Sequence, residues 1–102
     1  MYKLRIAQLA HEDLVSIVSY ITVELANPVA AADFLDEVEK CYDYLKRNPM
    51  MYSKCTNVQL ESEGYRKALI KNYILIFKIV ESSNIVNVMR FFYGARDYEK
   101  FL

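Results

Sequence analysis

Five cations and two phenols recur through the C-terminal part of the chain: Arg66, Lys67, Lys71, Arg90 and Arg96, with Tyr93 and Tyr98. Arginine and lysine neutralise phosphate and stabilise charge that builds on phosphorus, while a tyrosine stacks on a base or donates a proton. Cleavage of RNA through its 2′-hydroxyl needs a proton acceptor, a charge stabiliser and a donor to the leaving oxygen. The basic residues can supply the second service, and Tyr93 or Tyr98 the third. The only histidine, His11, stands far upstream at the start of the first predicted helix and reads as a surface or capping residue. With 9 tyrosines in the chain, packing is the ordinary role of any one of them. Arg90 lies inside a predicted strand beside Met89 and Phe91. Three places are open to it: a groove, the solvent, or an ion pair with a partner protein.

Charge is unevenly placed although the net charge is zero. Residues 1–63 hold 6 Lys/Arg against 10 Asp/Glu, and residues 64–102 hold 7 against 3. A basic half suits an acidic partner such as nucleic acid, a ribosome or an acidic protein segment. The same asymmetry also arises when helix faces are acidic and strand edges carry lysine against aggregation.

The elements that must position these residues follow from periodicity. Alternation of Tyr2, Leu4 and Ile6 with Lys3 and Arg5 predicts a strand over residues 2–8. Leu14, Ile17, Val18, Ile21 and Leu25 form one apolar stripe and predict a helix over 10–25, with Glu12 and Asp13 in its first turn where the helix dipole favours acids. Asn27-Pro28 caps a second helix over 28–47, whose stripe is Ala31, Phe34, Leu35, Val38, Cys41, Tyr42 and Leu45, and Asn48-Pro49 stops it. Residues 50–63 show no period and read as a loop with a possible short strand. Residues 65–70, 73–81 and 86–93 predict three strands joined by turns at Lys71-Asn72 and Ser82-Ser83-Asn84. The tail ARDYEKFL suits a final helical turn. The expected class is α+β in a single domain over 1–102. An N-terminal strand and an antiparallel helix hairpin pack on a three- to four-stranded, largely antiparallel sheet.

Other classes are excluded on composition. No stretch reaches the roughly 20 apolar residues of a membrane helix, and the start does not read as an export signal. Cys41 and Cys55 are too few for a disulfide scaffold and match no metal-site spacing. They read as free thiols in a reducing cytoplasm, with no cofactor and no metal expected.

Several stretches, taken in order, resemble the RelE/ParE toxins of bacterial type II toxin–antitoxin systems. They are LAHEDLVSIVSYI in the first helix, NPVAAADFLDEV followed by LKRNP in the second, YRKALIKNYILIFKIV in the central strands and VMRFFYGARDYEKFL at the close. The resemblance spans nearly the whole chain. It implies a toxin neutralised by a cognate antitoxin, acting either on DNA gyrase (ParE-like) or by cutting mRNA on the ribosome (RelE-like). Matched onto the RelE-like nuclease pattern, Arg66 falls at one strand lysine position, with Lys67 next to it on the opposite face. Arg96 falls at the closing arginine. Ala68, Ile74 and Leu102 occupy the remaining positions, although Tyr98 stands near the last. The missing groups argue against RelE-type cleavage.

The expectation is therefore a ParE-like toxin without nuclease chemistry, whose target-binding candidates are Arg66, Lys67, Lys71, Arg90 and Arg96. One alternative is an endoribonuclease using Arg66, Arg90 or Arg96 on phosphate and Tyr93 or Tyr98 as acid. The other is an inactive relative that only binds its antitoxin.

Overall fold

A computed structural model of the chain describes residues 1–55, 57–94 and 98–101. Strand β1 (Lys3–Ile6) leads into helix α1 (Gln8–Ser19), which continues as a π-helical turn over Tyr20–Glu24. Helix α2 (Pro28–Arg47) returns across it, and a loop with a short helix α3 (Val58–Ser62) follows. Strands β2 (Tyr65–Ile70), β3 (Tyr73–Val80) and β4 (Ile85–Tyr93) close the fold, with a 3₁₀ turn at Tyr98–Phe101. The sheet order is β1-β4-β3-β2. The three later strands form an antiparallel meander, and β1 pairs in parallel with β4.

The sequence signals for α2 act as expected. The Asn27 side chain accepts the Ala30 N–H at 3.1 Å, Pro28 takes the first helical position, and Lys46 and Arg47 lie in the last turn where the dipole favours cations. Its buried stripe is Ala31, Phe34, Val38, Cys41 and Leu45, while Leu35 turns out to partial exposure. The start of α1 departs from expectation. The helix begins at Gln8, so Glu12 and Asp13 lie beyond its first turn and away from the N-terminal dipole. The π turn at its other end inserts an extra residue in the helical repeat. That shift leaves Ile21 buried but carries Leu25 out of the core stripe, to 55% exposure. The loop expected over 50–63 contains α3. Asn57 caps it, its side chain accepting the Leu60 N–H at 3.1 Å.

Both helices of the hairpin cover one face of the sheet. Ala10, Phe34, Val38, Leu45, Leu75, Phe77, Val86, Val88 and Phe91 meet there in the main core. The opposite face carries a smaller cluster in which Cys55, Leu60 and Tyr98 cover Ile76 and Phe92. Both cysteines are buried free thiols. Burial pushes the Cys41 thiol pKa up, opposed by a hydrogen bond with Tyr52. Among the described residues no helix is long and apolar enough to cross a membrane.

Tyr42 borders the main core, and its buried hydroxyl has no hydrogen-bond partner among the described residues. Burial, with the nearby Cys41, pushes this phenol up to about 12. An unpaired buried hydroxyl is a cost that phenylalanine removes without changing shape. Tyr42→Phe is expected to be neutral or stabilising by up to about 1 kcal/mol in urea denaturation at pH 7. The raised folded-state value means that the folded state favours the neutral phenol. Its contribution is complete below the ordinary tyrosine value of 10 and is lost as pH rises through about 12. The variant should accordingly lose less stability than the parent between those limits.

Candidate functional site

A β-bulge decides where the basic side chains of the sheet point. Along β4, strict alternation would put Val86, Val88, Arg90 and Phe92 on one face. The register shifts instead between Ile76 and Phe77: Ile76 pairs with Arg90, Phe77 with Val88, and Met89 is the extra residue. Val86, Val88 and Phe91 therefore face the helices, and Phe92 faces the smaller cluster. The Arg90 guanidinium stacks over the Phe92 ring at 4.8 Å.

Arg90 does not stand free. Its Nε donates to Asp13 Oδ2 at 2.7 Å and its Nη2 to Asp13 Oδ1 at 3.1 Å, a bidentate pair. Asp13 Oδ2 also accepts the Phe91 N–H at 3.0 Å. The reason lies in strand lengths. β1 pairs with β4 only as far as Ile6 opposite Val88, and the last rung is the Ala7 N–H donating to the Val88 carbonyl. Beyond that point the edge of β4 would carry an open N–H, and the Asp13 carboxylate caps it. The pair is mostly buried, and the carboxylate raises the Arg90 pKa further above its ordinary value.

The other sequence candidates are spread over the sheet. Arg66 is on the helix-facing side at the start of β2, where its Nη1 donates to the Tyr52 carbonyl at 2.6 Å. It holds the 49–53 segment against β2, together with the Lys67 N–H donating to the Ser53 carbonyl at 3.0 Å. Lys67, Ile76 and Arg90 form one cross-strand row on the opposite face, with the fully buried Ile76 between the two cations. Tyr98 is buried and its ring stacks on Phe92 at 6.2 Å. Arg96 lies outside the described residues. His11 is exposed on the first turns of α1. No group of three or more His, Cys, Asp or Glu side chains among the described residues is placed to hold a metal ion.

Lys71 and Tyr93 do come together, at a cavity of about 620 Å³. It opens between the π turn of α1, the start of α2 and the β2–β3 turn. Tyr20, Ile21 and Leu25 form one wall, Ala30, Asp33 and Phe34 another, and Lys71, Asn72, Tyr73 and Tyr93 the third. This volume is within the range of ordinary ligand pockets. Tyr73 and Tyr93 are cross-strand partners with centroids 5.7 Å apart and planes at 74°, and Phe34 meets Tyr73 at 5.2 Å. Burial and the neighbouring Tyr20 and Tyr93 push the Tyr73 phenol up. Backbone strain borders the site: Ala26 has φ 48° and Lys71 φ 55°, a left-handed conformation uncommon for non-glycine residues.

Gly94 follows Tyr93 and packs against the β2–β3 turn. Its N–H donates to the Asn72 carbonyl at 2.7 Å, and a Cβ there would lie 2.9 Å from the same oxygen. Gly94→Ala is expected to displace the β2–β3 turn and cost about 1–3 kcal/mol, read as a lower urea midpoint with amide shifts at Asn72 and Tyr73. A parent-like midpoint would show that the turn yields freely. Sequence reasoning missed Asp13 as a sheet-edge cap and missed Tyr20, Asp33 and Tyr73 as cavity residues. Asn72 within the hairpin turn and Gly94 just after the closing strand were the available signals.

Comparison with known proteins accords with this architecture. A family model described as the ParE toxin of the type II toxin–antitoxin system parDE matches residues 4–98. The chain is similar in fold to the chromosomal ParDE toxin–antitoxin system from P. aeruginosa, at TM-score 0.72 and 17% identity over 91% of this chain and 96% of that one. It is also similar to the RelBE2 toxin–antitoxin complex from Mycobacterium tuberculosis, at TM-score 0.64 and 23% identity over 90% and 96%. The archaeal RelE–RelB complex from Pyrococcus horikoshii OT3 superposes at TM-score 0.61 with 13% identity over 93% and 97%. No curated protein sequence matches the chain. With the family model covering nearly the whole of a chain that folds as an α+β sheet under a helix hairpin, this protein belongs to the ParE toxin family of type II toxin–antitoxin systems.

Proposed function

We propose that this ParE-type toxin stops growth by binding an essential target, DNA gyrase by family resemblance, and that a cognate antitoxin silences it by docking over the cavity and the β2–β3 turn. The match to the ParE description over residues 4–98 carries the reading. The disposition of the basic residues supports it. Arg66 is occupied with loop carbonyls, Arg90 is clasped by Asp13, and Lys67 is separated from Arg90 by a buried isoleucine. Phosphoryl-transfer chemistry needs its cations gathered around one phosphate. The antitoxin reading rests on apolar surface. Tyr20, Leu25 and Tyr93 in the cavity wall, and Val29 beside it, are all at least half exposed, the kind of apolar surface on which a partner segment docks.

The test is induced expression of the chain alone in a bacterium, reading plasmid supercoiling and mRNA 5′ ends at early times. Altered supercoiling or DNA breaks with intact mRNA is the expected result, and co-expressed antitoxin should abolish it. Codon-phased 5′ ends that vanish in Arg96→Ala would instead establish the endoribonuclease reading. Tight antitoxin binding without toxicity would mark an inactive relative.

A further inference from the structure

We propose that the cavity between α1, α2 and the β2–β3 turn is a receptor for an arginine side chain presented by a partner polypeptide, its guanidinium held by the tyrosine rings and the Asp33 carboxylate. The inference rests on the proposed function only in naming the antitoxin as the presenting chain; the cavity's own preference stands on its lining.

Tyr20 and Tyr93 are 50% and 53% exposed, so much of their ring surface is open to a ligand. Tyr73 lines the same cavity and meets the Tyr93 ring at 5.7 Å, and both Tyr20 and Tyr93 help to raise its phenol pKa. A cation over such rings is attracted by their quadrupoles, and guanidinium also stacks on them. The rest of the lining, Ile21, Leu25, Ala30 and Phe34, is apolar and suits the three methylenes of arginine. Asp33 at the rim makes no ion pair among the described residues, so its carboxylate is available to a guanidinium.

Other ligand classes fit less well. The planes of Tyr73 and Tyr93 cross at 74°, so a flat base stacked on one meets the edge of the other. Among the described residues, Lys71 is the one cation of the lining that could meet a nucleotide's phosphate, which would also have to approach Asp33. A purely aliphatic anchor would leave the tyrosine hydroxyls and Asp33 without use. Lys71 is exposed on a flexible stem and can turn to solvent, which makes it a discriminating residue.

The experiment is an NMR titration of the purified full chain with N-acetyl-arginine methylamide, compared with the norleucine analogue and with AMP. Saturable shifts at Tyr20, Ile21, Tyr73 and Tyr93 are expected with the arginine probe. Asp33→Asn and Tyr93→Ala should each weaken it by about tenfold, while Lys71→Ala should leave it unchanged or tighter. Unchanged amide dispersion outside the cavity would confirm that these surface variants fold. Equal binding of the norleucine probe, or no saturable shift, overturns the inference. So does preferential binding of AMP that is lost in Lys71→Ala. Displacement of the arginine probe by the cognate antitoxin would support the assignment of the partner, and a probe that stays bound in the complex would overturn it. A chain that binds the probe selectively yet never inhibits growth would sink the proposed function and leave the cavity's specificity in place.

Discussion

Replacing Asp13 with alanine is expected to destabilise the fold by about 2–4 kcal/mol, measured by urea denaturation at neutral pH. The substitution strands two donors at once. The Arg90 guanidinium loses a bidentate partner at 2.7 and 3.1 Å, and the Phe91 N–H loses its acceptor at 3.0 Å. Both partners of the ion pair are about four-fifths buried, so water compensates incompletely. Arg90→Ala should cost less, because Asp13 still caps the strand edge when the guanidinium is gone. The double variant should then show a coupling energy of about 1–3 kcal/mol, as expected for groups sharing hydrogen bonds. Equal costs for the two single variants would mean that the Phe91 N–H finds water and that the edge cap is not the main role. The clamp also ties α1 to the part of β4 that leads to Tyr93. Hydrogen exchange at Phe91 should therefore rise more in Asp13→Ala than in Arg90→Ala.

Phe34→Ala should cost about 3–5 kcal/mol, a large share of the stability of a small domain. The ring is 2% exposed and packs among the helix-facing side chains, so its loss leaves a void in the main core. It also supports Tyr73 from 5.2 Å, which couples core packing to the cavity. Phe34→Leu, which keeps much of the volume, should recover most of the loss. The urea slope should stay constant across the series if only the folded state changes. A cost below about 1 kcal/mol for Phe34→Ala would show that the helix hairpin collapses onto the void without penalty. Because Phe34 lines the cavity and packs on Tyr73, the alanine variant should also have a more mobile Tyr73 ring by NMR than the leucine variant.

The bounds of α2 were legible because each end carries a local device. Asn27-Pro28 supplies a cap and a first-turn proline, and Asn48-Pro49 supplies a stop. The strands were legible because apolar runs between polar turns have few other uses. Their ends shifted by only a few residues, at Ile6, Val80 and Ile85. α3 was missed because five residues are too few to establish a period; only the Asn57 cap marks it.

The residues that the sequence by itself determined are those whose environment is set within a few positions along the chain: caps, turns, the apolar stripe of α2 and the ordered motifs that place the chain in its family. What only the tertiary structure decided depends on distant segments meeting. Arg90 was left between groove, solvent and ion pair because one extra residue at Met89 reverses the face of everything beyond it, and alternation cannot reveal a bulge. Its acid lies 77 positions away. The cavity was hidden for the same reason: a π turn carries Leu25 out of the core stripe, while cross-strand register sets Tyr73 against Tyr93. Neither is encoded by a local preference strong enough to read, because each results from the packing of helix hairpin on sheet.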